Sequence, residues 1–208
     1  MSDKIDKFLV QTASMVNPQL SQALIEVGHV PLTVKNKLPI CERLGRAIAG
    51  QQLSVTVAAT IWGRVSDAAA RAGSFRHYVD RASVEQLRAH GLSAAETKAM
   101  KAIATEALAG RLHRDLLLPL APQERAARLC SLWGVGQWTA HMINMFYFGE
   151  RDIWPEGDMA ARKAFAFLLG STETASAAEK FAPYRSYLAL RMWRFLAWMN
   201  RKECDEIV

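Results

Sequence analysis

Two stretches of this chain carry residues whose types and spacing can do chemistry. In LCSLWGVGQWTA, residues 129–140, two helical-looking segments meet at a turn that holds Gly134 and Gly136 around Val135. A single glycine at such a junction serves as a left-handed cap. A second one, with a valine between, lets the backbone turn tightly, bury the valine and leave successive N–H groups exposed at the next helix start. That concavity of donors, backed by the positive end of the helix, suits a phosphate. No side chain reaches over it to read a base, so the contact is blind to sequence and fits a protein that scans DNA. The second stretch is WPEGDMAARKAF, residues 154–165. Asp158 follows Pro155 and Gly157 and directly precedes an alanine-rich segment, a preferred N-cap position for aspartate. Backbone donors and the helix dipole there favour the ionised carboxylate.

Metal chemistry has little to stand on. Cys41, Cys130 and Cys204 are far apart in sequence, and His29, His77, His90, His113 and His141 show no ligand spacing of the HExxH kind. Three dispersed cysteines suit a reducing compartment. The 208-residue chain is half hydrophobic and 22% charged, with a formal net charge of +6. A basic balance agrees with a polyanionic partner without identifying one. No apolar run approaches the roughly 18 residues that span a bilayer, and MSDKIDKFLVQTASM has no signal-peptide core. The expectation is a cytoplasmic protein, nucleoid-associated if bacterial.

The elements that must position these residues read as helices throughout. Ile40, Leu44, Ala47 and Ile48 share one face; Leu53, Val57, Ile61 and Val65 repeat every four residues; Leu188, Met192, Phe195 and Met199 form another stripe. No period-two run bounded by turns is found. Breakers at Asn17-Pro18, Pro31, Pro39, Gly73-Ser74, Gly91, Pro119, Pro122, 134–136 and 149–157 predict about ten helices. Ser93 with Glu96 predicts a capping box. The fold class expected is all-α, a two-lobed helical bundle.

Four blocks together carry a family resemblance. LWGVGQWTA, AGQQLSVTVAATIWGRV (49–65), WPEGDMAARKAF and PYRSYLALRMW (183–193) resemble, in order and spacing, blocks of the helix-hairpin-helix DNA glycosylases, of the 3-methyladenine DNA glycosylase II, alkylation-repair type. The resemblance runs from about residue 15 to 200 and implies the minimal form, without an N-terminal sheet domain. It implies one domain over 1–208, with a central lobe of about 36–150, a second lobe from about 1–35 plus 158–208, and an active-site cleft between them.

The resemblance assigns roles residue by residue. Asp158 is the catalytic carboxylate, an anion under a sugar that turns cationic as its glycosidic bond breaks, able also to orient water. Asp152 and Glu156 are nearby acids expected to be solvated. Trp138 stands where lyase-competent relatives have a lysine that forms a Schiff base, so excision stops at an abasic site. Trp138 and Trp193 wall the base pocket, since electron-rich rings attract a cationic alkylated purine; His141 and Met142 face it, core packing being the simpler role for Met142. Gln52 or Leu53 wedges into the stack when the nucleotide flips. Gly134, Val135, Gly136, Gln137 and Thr139 meet phosphates; Arg162 and Lys163 are phosphate contacts or solvated charges. The main-chain carbonyls of Cys130, Leu132 and Val135 would hold a structural sodium or potassium ion. Two departures stand out: Trp133 replaces a usual proline, and Gly157 replaces a frequent second acid.

The activity implied is hydrolysis of the N-glycosidic bond of alkylated purines in double-stranded damaged DNA. It needs no nucleotide cofactor, no membrane and no further subunit. Two rivals are a bifunctional glycosylase/lyase using another lysine, and a non-catalytic DNA-damage-binding module, to which Asp158 would be useless.

Overall fold

The computed structural model describes residues 2–51 and 54–205, and among these every regular element is helical. In chain order the helices begin with α1 (Ser2–Val16), α2 (Pro18–Val27), α3 (Ile40–Ile48) and α4 (Val55–Arg71). Five shorter or medium helices follow: α5 (Phe75–Arg81), α6 (Val84–Ala89), α7 (Ala94–Leu108), α8 (Arg114–Leu117) and α9 (Pro122–Cys130). Then come α10 (Gln137–Ile143), a π-helical turn (Asn144–Phe148), α11 (Met159–Leu169), α12 (Thr174–Glu179) and α13 (Arg185–Asp205). The described residues thus hold thirteen α-helices, where the breakers predicted about ten. The additional ones, α6, α8 and α12, have four to six residues, too few to display a 3.6-residue period.

Most helix starts follow from a capping side chain. Asn17, Ser54, Ser74 and Ser83 each accept a first-turn backbone N–H. Ser93 and Glu96 close the expected capping box, with Glu96 Oε2 2.7 Å from the Ser93 N–H. Each such cap satisfies a donor that the helix itself cannot.

The chain divides into two compact units, residues 35–148 and residues 1–34 with 149–208. In the first, Leu44, Ile48, Val65, Met100, Ile103 and Leu129 are buried together. In the second, Leu9, Leu20, Phe165, Phe181, Leu188 and Met192 are almost wholly enclosed. The stretch 149–157, read as a separator, is bound firmly into the second unit. Ser186 Oγ donates to the Glu150 carbonyl (2.8 Å) and accepts the Ile153 N–H (3.0 Å). Arg185 grips Asp152 through Nε at 2.7 Å and Nη2 at 2.9 Å.

Candidate nucleic-acid interface and active site

In the unit of residues 35–148, α9 ends at Cys130 and Ser131 caps it in right-handed conformation. Gly134 is therefore not the helix cap. It is the third residue of a turn closed by the Val135 N–H donating to the Leu132 carbonyl at 3.1 Å. Its φ of +83° is one that only glycine adopts without strain. A second constraint is steric: a Cβ there would lie 2.6 Å from the Ala99 Cβ on α7. Val135 is buried, as its place between glycines predicts. Gly136 differs from Gly134. At φ −90°, ψ 174° it is an ordinary N-cap conformation, and a Cβ would meet nothing within 4 Å. What glycine contributes at this position is the lack of a side chain, so nothing of its own covers the first-turn donors of α10. Gly134, Gly136, Gln137 and Trp138 are all exposed.

The two helices of the hairpin are held by a buried polar network. Arg125, 3% exposed on α9, donates to the carbonyls of Leu117 (3.0 Å) and Leu120 (2.9 Å), and to Asn144 Oδ1 (3.0 Å). Asn144, in the π-helical turn, returns a bond to the Pro122 carbonyl at 2.9 Å. The guanidinium also lies 4.0 Å from the Phe148 ring centre. A fully satisfied buried network rigidifies what it joins, and here it joins α9 to the segment that continues α10. Gln51 ties in a third element, its amide donating to Thr139 Oγ1 (3.2 Å) and reaching the Gly134 carbonyl (3.5 Å).

In the other unit, the Pro155 carbonyl accepts the Asp158 N–H at 2.7 Å, so Pro155–Asp158 is a tight turn that delivers the carboxylate to the head of α11. Asp158 is the N-cap: its Oδ1 accepts the Ala161 N–H at 2.8 Å. The same oxygen accepts the indole N–H of Trp193 from α13, also at 2.8 Å. The residue is 8% exposed. Two donors converging on one oxygen fix the carboxylate's plane as well as its place.

Known proteins resemble this chain over most of its length. It is 27% identical to DNA-3-methyladenine glycosylase 1 of Schizosaccharomyces pombe over 162 residues, 74% of this chain and 71% of that one. It is 27% identical to DNA-3-methyladenine glycosylase 2 of Escherichia coli over 175 residues, 78% of this chain but 61% of the relative's length. A solved structure of the S. pombe 3-methyladenine DNA glycosylase in complex with abasic DNA superposes with a TM-score of 0.81 at 25% identity, covering 92% of this chain and 95% of the other. No family model matches. The chain is a homologue of the 3-methyladenine DNA glycosylases. It has their all-α helix-hairpin-helix fold.

Trp138 is 38% exposed. His141 and Met142 are half-buried on α10; Gln137 reaches His141 Nε2 at 2.9 Å, and burial lowers the imidazole pKa below the usual histidine value. Thr139 is 1% exposed and its hydroxyl accepts from Gln51, so its side chain is spent on fixing the hairpin, leaving its main chain to meet a ligand. Gln52 and Leu53 lie outside the described residues. Asp152 and Glu156 both keep part of their exposure, as solvated acids would, but each is also paired. Arg185 holds the first, while Glu156 accepts the Trp154 indole N–H at 2.6 Å and pairs with Arg162 at 3.4 Å. Both are committed to shaping the turn that carries Asp158. Lys163 is exposed on α11.

Among the described residues no group of three or more His, Cys, Asp or Glu side chains is placed to hold a metal. The carbonyls of Cys130, Leu132 and Val135 are a chemically suitable oxygen set for a hard monovalent cation. Leu132's accepts the Val135 N–H and keeps a second lone pair. Sequence reasoning missed Gln51, Arg125 and Asn144. Gln51 lies 88 positions from Thr139, and Arg125 lies 19 from Asn144, so no local pattern announced these pairs.

Proposed function

We propose that this chain is a monofunctional DNA glycosylase that hydrolyses the N-glycosidic bond of alkylated purines, of the 3-methyladenine and 7-methylguanine type, and leaves an abasic site. The observation that carries the reading is the Asp158 carboxylate. It stands at the head of α11 with Oδ1 fixed by two N–H donors at 2.8 Å, in a homologue of enzymes named for this reaction.

The chemistry follows from that anion. As the bond to the base stretches, positive charge grows on the deoxyribose, and a preoriented carboxylate below the sugar stabilises it without reorganising. The same group receives a proton from the water that adds to the sugar carbon. The departing alkylated purine is already cationic and leaves neutral, so no protein acid has to protonate it. In this reading Trp138 and Trp193 are the residues whose ring faces attract that cation, and His141 and Met142 are assigned to the base. Gly134, Gly136 and Gln137 grip the backbone of the damaged duplex, and Gln52 or Leu53 fills the stack. Trp138 carries no amine, so the enzyme forms no Schiff base. The reading requires no cofactor, assigns a sodium or potassium ion to the hairpin carbonyls as a structural element only, and has the enzyme act as a monomer in the cytoplasm.

The test incubates the protein with randomly methylated duplex and identifies released bases by chromatography. Free 3-methyladenine and 7-methylguanine, with no borohydride-trapped protein–DNA adduct, are expected. Absence of any released base refutes the reading, and a trapped adduct refutes its monofunctional part.

A further inference from the structure

A cation that the hairpin pattern did not include stands on the same surface. Lys98, exposed on α7, places its Nζ 4.3 Å from the centre of the Trp133 ring. That ring is itself 45% exposed, on the residue just before Gly134. The two elements meet here, the Gly134 backbone packing against Ala99, the next residue of α7, closely enough to forbid a Cβ. Among the described residues Lys98 forms no ion pair. The nearest acid on its helix turn, Glu96, is turned to the Ser93 N–H in the capping box. A groove of about 580 Å³, lined by Trp133, Gly134, Ala99, Glu96, Ser93 and Gln51 among others, runs beside the pair.

An exposed tryptophan beneath a lysine costs solvation of the ring but stabilises the ammonium in one position. A free lysine side chain samples many rotamers and loses that freedom on binding. One already laid over a ring loses less, while its ammonium keeps N–H donors directed away from the ring face.

We infer that Lys98, steered by Trp133, is a phosphate contact of the DNA interface, extending the glycine hairpin onto α7. The contact is to the nucleic-acid backbone and is independent of sequence. It rests on the reading that the hairpin meets duplex DNA.

The test is duplex binding by the full chain, followed by anisotropy of a labelled undamaged duplex at about 50 and about 200 mM salt. Losing one phosphate contact removes about 0.9 from the slope of log affinity against log salt. The K98Q variant therefore binds more weakly, and its gap from wild type narrows about 3.5-fold across that fourfold change of salt. K98R restores the slope, since a guanidinium both stacks and contacts phosphate. W133L weakens binding, and the W133L/K98Q double variant is no weaker than K98Q alone, the signature of a coupled pair. A wild-type slope in K98Q overturns the inference, as do additive losses in the double variant. Base release by wild type alongside an unchanged K98Q slope refutes Lys98 alone, whereas wild type that binds no duplex refutes the DNA reading as well. Should W133L fail to fold, the K98Q and K98R slopes decide the matter.

Discussion

Replacing Trp193 by phenylalanine separates two things the tryptophan does. An aromatic ring remains for the base contact that the proposed function assigns to it, but the indole N–H that reaches Asp158 Oδ1 at 2.8 Å is gone. A hydrogen bond to a charged group contributes roughly 1.5–3 kcal/mol, and each 1.36 kcal/mol on a barrier is a tenfold rate change. If the bond chiefly holds the carboxylate where charge develops, the chemical step slows by about 10- to 150-fold. Single-turnover release of 7-methylguanine from methylated duplex reads this directly, and anisotropy on an abasic duplex reads affinity. The expected result is a slower release with affinity within about twofold of wild type. Trp193→Ala, which also removes the ring, slows release further and weakens binding to the damaged duplex. A folded W193F that releases base at the wild-type rate refutes the argument, as does one that loses affinity as steeply as rate.

Three further outcomes follow from the same geometry. Gly134→Ala combines a positive φ with a Cβ 2.6 Å from Ala99 and should cost about 1–3 kcal/mol of stability, read as a lower urea midpoint; a midpoint equal to wild type contradicts it. Gly136→Ala has ordinary φ and open space, so its midpoint should hold or rise slightly while duplex affinity falls, because the methyl group enters the space over the α10 donors; unchanged affinity contradicts the phosphate role of that turn. Burial holds the His141 imidazole below the usual histidine value, and its Nδ1 is enclosed without a partner. The unfolded chain then binds the proton more readily, so this stabilisation is complete above the ordinary histidine pKa and fades as pH falls through it. Urea midpoints should drop between about pH 7.5 and about pH 5.5, and less so in His141→Gln; an identical drop in both refutes the assignment.

What the sequence made legible were features encoded within a few residues. The capping box at Ser93 and Glu96, the burial of Val135 between two glycines and the N-cap place of Asp158 all depend on spacings of four residues or fewer. All three are present. Helix periodicity showed the all-α class, because long amphipathic stripes repeat often enough to exclude a strand. Features made by distant residues stayed hidden. Nothing near Asp158 in sequence announces that Trp193, 35 positions on, donates to it. Nothing local marks Arg125 as buried, yet it donates to the Leu117 carbonyl at the end of α8 and to Asn144 Oδ1 in the π-helical turn. Asp152 keeps part of its exposure, as expected, but its pairing with Arg185, 33 positions on, stayed hidden for the same reason.

The central claim is that one fixed carboxylate does the chemistry. Asp158→Asn keeps the volume of the side chain and an oxygen able to accept the Ala161 N–H, but removes the charge. Incubated with methylated duplex under single-turnover conditions, it should bind DNA as wild type does and release no methylated base above background. Methylated base released at the wild-type rate by a folded D158N protein would contradict the account.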